Sequence, residues 1–532
     1  MRTNLTALSI AGGLLVGLSV AQPSLAQKPG GILKTWTFDS PASMSILEES
    51  TIAAERPMMG VFNNLVLFDQ HVEKNSLQSI VPELATGWSW NEEGTELTMP
   101  LQHDVKWHDG TPFTAKDVKC TWDLLTGKSS EKLRINPRKS WYRNLDEVRV
   151  DGDYQVTFRL KRPQPSFLAL LATGWSPVYP CHIPARDMRS HPIGTGPFKF
   201  VEYKPNQSIT VARNPDYWKK GRPYLDGIEY TIIRDPATAR LAFVAGKFDI
   251  SWPYSITIPV LNDIQSQAPT AECEVAATNV NRTLIINRDK PPFDNPELRR
   301  AMALALDRKA FVDIITQGKG DIGGVMLPAP EGVWGMPPEL LQTLPGYGSD
   351  VEKNRAEARQ IMQKLGYRPY NKLAVVVSTR NVPAYRDPAV ILVSQLNEIY
   401  MDTTLDPVDT VNWYPKVMRK DYTVGLNVTE SALDDPDQQF YESYVCGADR
   451  NYTGYCSPEV DKLVDQQSAE PNVEKRKKLV WEIEKRLVED GARPVIFYPR
   501  GATCRYPHVK DLTIMVNSIY NGWRFEDVWL DK

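Results

Sequence analysis

LAVVVSTRNVPAYRDPAVILVSQLNEIYMDTTLDPVDTVNWYPKVMRKDYTVGLNVTESALDDPD, from Leu373 to Asp437, alternates strand-like and helix-like segments. VVVSTRN is an apolar run ending in polar residues, the pattern of a buried strand. DPAVILVSQLNEIY places apolar residues at helical spacing, and the rest reads as strand, helix and strand. Such alternation builds an α/β architecture around a parallel or mixed sheet, whose ligands sit outside the carboxyl ends of its strands. Ser378, Thr379, Arg380 and Asn381 fall at one such end, and Asp434 to Asp437 follow another. Both groups are therefore expected at one crevice.

The stretch continues as LDDPDQQFYESYVCGADRNYTGYC, from Leu433 to Cys456. Asp434, Asp435 and Asp437 surround Pro436, which fixes its own φ and biases Asp435 towards extended backbone, making a stiff acidic corner. Cys446 and Cys456 bracket GADRNYTGY, a polar and aromatic loop closed by pairing of the two sulfurs. The stretch reads as one wall of a pocket; a solvated turn beside a structural disulfide uses the same residue types.

Working outward, the chain begins MRTNLTALSIAGGLLVGLSVAQPSLAQ, with Arg2, an apolar run from about Leu5 to Ala21, and small residues at Ser24 and Ala26. This is the form of a secretory leader, residues 1–26, cleaved before Gln27. No cysteine lies in or just after it to accept a lipid, and no later stretch has the apolar length of a spanning helix. At roughly 100 to 200 residues per domain, the remainder suggests two to four domains or subdomains. The 62 Lys and Arg nearly balance 65 Asp and Glu without a basic stripe, which points away from nucleic acid and towards a small-molecule partner. The 14 Trp and 22 Tyr suit both core packing and flat-faced ligand contacts.

Six cysteines, at 120, 181, 273, 446, 456 and 504, enter an oxidising compartment if the leader acts as expected. Cys446 with Cys456 is the expected pair. The other four combine in three ways, of which Cys120 with Cys181 and Cys273 with Cys504 is one. No CxxC spacing supports a thioredoxin-like reading.

Further motifs run along the chain. GILKTWTFDS reads as a strand losing regularity at Asp39–Pro41, followed by a helix over Ile46–Val61. Trp88 and Trp90, EEG, and Leu97 and Met99 make a hairpin; HDG turns, and Thr114 caps a helix from Ala115. The strings PELATGWSW and VKWHDGTPFTAKDV resemble the signature region of bacterial ABC-transporter extracellular solute-binding proteins, family 5, which take up dipeptides, oligopeptides, nickel and related solutes. Where that family has a Leu-Arg pair before the signature, this chain has Leu101 and Gln102. IGTGPFKFVEYKPNQSITVARNPDYW (193–218) resembles its second motif. PELRRAMALALDRKAFVDII (296–315) resembles its long helix opening the other lobe, with Pro296 near the first turn, an apolar helical stripe, and Gly318 beyond its end. DDPDQQF with the paired Cys446 and Cys456 resembles the dipeptide-binding branch. The resemblance covers about residues 31–530.

Catalytic constellations are weak. Ser129-x-x-Lys132 has the spacing of penicillin-recognising enzymes but lacks their SDN and KTG elements. His103 and His108 lack the i, i+4 spacing of a zinc pair, and His182 and His191 stand alone. There is no P-loop, GxGxxG or GxSxG. Five Asn-x-Ser/Thr sequons, Asn451 among them, are taken as chance in a bacterial chain.

The resemblance implies a type II two-lobed periplasmic-binding-protein fold of the large cluster, with mixed sheets, a hinge between lobes and no enzymatic activity. Lobe one takes residues 27–275 plus 500–532, including an extra subdomain near 66–192; lobe two takes 276–499. The implied function is capture of a small solute, a peptide or amine-bearing compound, and delivery to the permease and ATPase subunits of an ABC importer. The chain would be a periplasmic monomer without cofactor or metal. Alternatives are a solute sensor or chaperone, a secreted hydrolase, or a binder of sugar, opine or metal chelate. In dipeptide-binding relatives an aspartate of the Asp-Pro-Asp stretch pairs with the ligand's α-ammonium, a role implied here for Asp435, with Asp434 next. Arg380 at a strand end is the candidate for a ligand carboxylate. Trp413 and Trp36 are candidate walls, and Arg450, Asn451 and Tyr455 candidate contacts in the cysteine loop.

Overall fold

The computed structural model describes residues 27–277 and 279–532; the expected leader lies outside them. Ile32–Thr37 pairs in parallel with Gly227–Ile232, which runs antiparallel to Ser208–Arg213 and through it to Phe198–Lys204. Trp36 points from this sheet into the core, its ring 5.2 Å from that of Phe248. The helix expected over Ile46–Val61 forms only over Ile52–Met59. The Thr51 hydroxyl accepts from the Ala53 N–H and so caps its start, while Ile46–Glu48 form a turn.

A second antiparallel sheet, in the order Ser89–Trp90, Glu96–Pro100, Gln155–Leu160, Leu145–Val150, carries the helix Ala115–Thr126. Thr114 and Asp117 form the reciprocal cap of that helix, and Trp122 meets Phe158 edge-on at 5.1 Å. The two sequence signatures touch where the His108 N–H donates to Gly194 O at 2.9 Å, and the second also meets the segment after the helix Ile52–Met59, the Gly196 N–H donating to Val61 O at 2.9 Å. A Cβ at Gly194 would meet Val61 O at 2.0 Å, so this close backbone approach requires glycine.

Glu272–Ala277 and Arg500–Arg505 form an antiparallel ladder in which Cys273 faces Cys504, and these two are disulfide-bonded. The other bridges are Cys120–Cys181 and Cys446–Cys456. On one side of the ladder lies a large core drawn mainly from residues 33–264 and 502–530; on the other lie smaller cores drawn from residues 277–498.

The second lobe is built on a mixed five-stranded sheet, in the order Met401–Val408, Leu373–Arg380, Val424–Glu430, Val280–Ile286, Val495–Phe497. Its first three strands are parallel, joined by the helices Pro383–Asn397 and Thr410–Met418. The continuous helix expected over 296–315 is two, Pro296–Leu304 and Arg308–Thr316. Asp307 interrupts it by capping the second, its carboxylate accepting from the Ala310 N–H at 3.0 Å. No helix among the described residues is long and apolar enough to cross a membrane.

Candidate functional site

Parallel pairing sends Arg380, Val408 and Glu430 to the same end of the lobe-two sheet, and the antiparallel strand from Val280 begins there. This end faces the first lobe. Arg380 is buried and crosses the gap: its guanidinium pairs with Asp39, at the end of the first strand of the chain. The same side chain donates to Thr410 Oγ1 at 2.8 Å and to the hydroxyls of Tyr385, Tyr414 and Thr51, each at 3.4 Å. Burial pushes both tyrosine hydroxyls up, so they stay neutral hydrogen-bonding groups.

Beside this bridge lies a cleft of about 190 Å³ between the lobes. Glu48, Glu49, Thr51 and Arg134 line one wall, and Thr410, Tyr414 and Met418 the other. Glu48 is held by Arg189 at 2.7 Å, and burial pushes the Glu49 carboxyl up.

Further contacts also join the lobes. Trp141 Nε1 donates to Glu442 at 2.8 Å, and Glu442 also pairs with Arg450. The Ser140 N–H donates to Asp449 at 3.1 Å. Asp437 is a hub: it accepts from Gln164 (2.9 Å) and Ser166 (2.5 Å) of lobe one, and from Gln467 (2.6 Å), Ser468 (2.7 Å) and Arg476 (3.3 Å) of lobe two. Five donors on one fully buried carboxylate repay its desolvation.

The acidic corner is therefore occupied by protein. Asp435 caps the helix Pro436–Ser443 and is gripped by Arg476 through both oxygens, at 2.8 and 2.9 Å, while burial pushes its carboxyl up. Asp434 accepts from the Val333 N–H at 2.7 Å; burial pushes it up to about 7. Trp413 is wholly buried among Ile285, Val417, Tyr422 and Tyr452, its Nε1 donating to Asn427 at 3.3 Å. Trp36 lies in the core of lobe one. In the cysteine loop, Asn451 donates to Val445 O and Tyr455 O, and Tyr455 donates to Asp490 at 2.7 Å beneath the Arg288 guanidinium. Arg380 and Arg450 thus reach the lobe boundary, while Trp36, Trp413, Asn451 and Tyr455 pack within their own lobes.

Two residues at the sheet end escaped the sequence reading. Arg282 is 8% exposed, and its Nε and Nη1 have no hydrogen-bond partner among the described residues. Glu430 has an unpartnered Oε2, and burial pushes its carboxyl up despite the fields of Arg450, Arg380 and Arg282. The available signal was a single charge of each sign at the ends of apolar strands, VNRTLII and VGLNVTE.

Elsewhere the chemistry is structural. Lys132 donates to the carbonyls of Gly127 and Ser129, while the Ser129 hydroxyl accepts from the Glu131 N–H. His103 stacks on Tyr154 at 4.1 Å, and His182 contacts Asp109 at 2.7 Å. Among the described residues no cluster of three His, Cys, Asp or Glu is arranged to hold a metal.

Comparison with known proteins places this geometry in context. The family model described as "Bacterial extracellular solute-binding proteins, family 5 Middle" matches residues 79–451. The chain is 26% identical over 524 residues to the oligopeptide-binding protein AppA of Bacillus subtilis, covering 93% of this chain and 91% of the relative. The solved structure of AppA in complex with a nonapeptide superposes with a TM-score of 0.82 at 23% identity, over 95% of this chain and all of that one. AgaA from A. tumefaciens R10, solved with agropinic acid, gives 0.80 at 22% identity, over 94% of this chain and 99% of that one. These solved structures share the two-lobed fold.

Proposed function

This chain belongs to the bacterial extracellular solute-binding proteins of family 5, and we propose that it is the periplasmic capture component of an ABC importer for a peptide or another amine-bearing solute. It binds the solute between its lobes and hands it to a membrane permease, with ATP hydrolysis on separate chains. The observation that supports this most is the buried bridge from Arg380 to Asp39, which joins the sheet end of lobe two to lobe one at the mouth of a cleft. Such a bridge exists only while the lobes are together.

In this reading lobe one comprises residues 27–275 with 500–532 and lobe two 276–499, and they close by hinge motion at the ladder of Glu272–Ala277 with Arg500–Arg505. Solute favours closure only to the extent that it contacts both lobes at once. Arg380 is the latch that holds the closed form. Asp435 and Asp434 act indirectly, by fixing the corner after the strand Val424–Glu430. Arg450, Asn451 and Tyr455 shape the loop behind it. The protein acts as a monomer and leaves its solute chemically intact.

The test is uptake. A strain lacking the gene should lose uptake of an isotope-labelled peptide digest and regain it with the gene restored. Unchanged uptake together with a lost behavioural response to the digest would favour the sensor instead.

A further inference from the structure

A carboxylate withdrawn from water depends on the donors around it, and the lobe that supplies each donor decides what is lost when the lobes part. Asp437, in the first turn of the lobe-two helix Pro436–Ser443, draws on both lobes through one oxygen. Its Oδ2 accepts from Ser468 of lobe two at 2.7 Å, and from Ser166 and Gln164 of lobe one at 2.5 and 2.9 Å. Oδ1 stays with Gln467 and Arg476 of lobe two. Opening therefore removes Ser166 and Gln164 and leaves the others in place.

The lobe-one donors are set for this contact. Ser166 immediately precedes the helix Phe167–Ala172, where a serine hydroxyl ordinarily caps, yet the hydroxyl makes no capping bond and is turned to Asp437. Gln164 Oε1 accepts from Asn144 Nδ2 at 3.1 Å, which directs the amide nitrogen at the carboxylate. From the same segment Arg162 donates to Asp465 at 2.9 Å and to the Tyr441 hydroxyl. Nearer the acidic corner, Asn521 Nδ2 of lobe one donates to Ala432 O at 2.8 Å, and Ala432 and Leu433 pack into the lobe-one core. All of these contacts are protein on protein, and none uses a residue that lines the cleft between Glu48 and Tyr414. Their free energy favours the closed form whether or not a solute is there.

We propose that the segment Arg162–Ser166 of lobe one and Asp437 of lobe two form a second latch, which holds the lobes together in the absence of solute. Gln164, Ser166 and Asp437 are positioning residues: they touch no solute and act through the equilibrium between open and closed lobes. Solute then enters through the minor open form, so its association slows as the latch strengthens. The proposal rests on the hinged two-lobe reading above and adds what keeps the hinge shut.

Small-angle scattering of the mature chain tests it, after unfolding with the disulfides intact, removal of small molecules and refolding. Ser166→Ala and Ser468→Ala each delete one hydroxyl from the same carboxylate oxygen, the first across the boundary and the second within lobe two. Losing one hydrogen bond to a charged group shifts an equilibrium about 10- to 100-fold. The wild type should scatter as closed, Ser166→Ala combined with Gln164→Ala should expand, and Ser468→Ala should stay closed. Unfolding midpoints establish that each variant is folded, and a merely structural role would move the two serine variants alike. A wild type already expanded, or Ser468→Ala expanding as much as the lobe-one pair, would overturn the latch and leave the hinge standing. A lobe-one pair as compact as wild type would overturn the latch too. If adding Asp39→Asn to that pair also failed to expand the chain, the hinged reading would fall with it.

Discussion

Replacing Asp39 by Asn separates two roles for Arg380. The Asp39 and Arg380 side chains are 10% and 7% exposed, so the pair is nearly cut off from water, and breaking such a pair costs about 3–5 kcal/mol. Thr51, Thr410, Tyr385 and Tyr414 continue to accept from or surround the guanidinium, which brings the expected loss to about 2–3 kcal/mol. Because the pair spans the lobes, the loss falls on the closed form and not on the folding of either lobe. Solute affinity should drop roughly 30- to 150-fold, with the unfolding midpoint nearly unchanged. Titration calorimetry gives the affinity, small-angle scattering the lobe separation and calorimetric scanning the midpoint. If Arg380 instead served mainly to grip a solute carboxylate, Asp39→Asn would free the guanidinium and binding would hold steady or tighten. That result would refute the latch.

Other perturbations have different signatures. Asp435→Asn breaks the bidentate pair with Arg476 inside lobe two, and should lower stability by about 3 kcal/mol in denaturant titration while the folded fraction binds solute within threefold of wild type. Trp413→Ala, and separately Trp36→Ala, should cost about 3–5 kcal/mol of stability as core deletions, again without a matching loss of affinity. Burial pushes the Glu484 and Asp434 carboxyls up to about 7, so the folded state holds their protons more tightly than the unfolded chain. Their stabilising contribution is complete below about pH 4 and is lost as pH rises towards 7. His108, pushed down to about 4 by burial, has the opposite sign: its contribution is present above about pH 6.5 and is lost as pH falls towards 4. Glu484→Gln should therefore gain about 3 kcal/mol relative to wild type between pH 4 and pH 8, read from unfolding midpoints across that range. A constant difference would contradict the assignment.

Much of the architecture is readable from local pattern. The apolar run before Ser378 and the helical stripe that follows specify a parallel unit, because both periodicities are set by burial. Breaks inside helical pattern are harder to see. Asp307 sits in an apolar stripe compatible with one helix, and only its hydrogen bond to the Ala310 N–H reveals a second start. The acidic corner stood out as a cluster, yet its conspicuous charges serve partners far along the chain: Arg476 is 41 residues from Asp435, and Gln164 is 273 from Asp437. Sequence displays the carboxylates but not the donors that occupy them. Arg282 and Glu430 had the reverse problem. Each is an isolated charge in a strand, and only the register of Val280–Ile286 against Val424–Glu430 brings them to one face.

A small solute is expected to be held between the lobes. Native mass spectrometry of the exported protein as purified, followed by denaturing release and fragmentation, tests it most directly. One discrete adduct per chain is expected, released on unfolding and identified as a peptide or another amine-bearing molecule. A released sugar or metal chelate, or a protein that stays bare and shows no thermal shift with any peptide or amino-acid derivative, would contradict it.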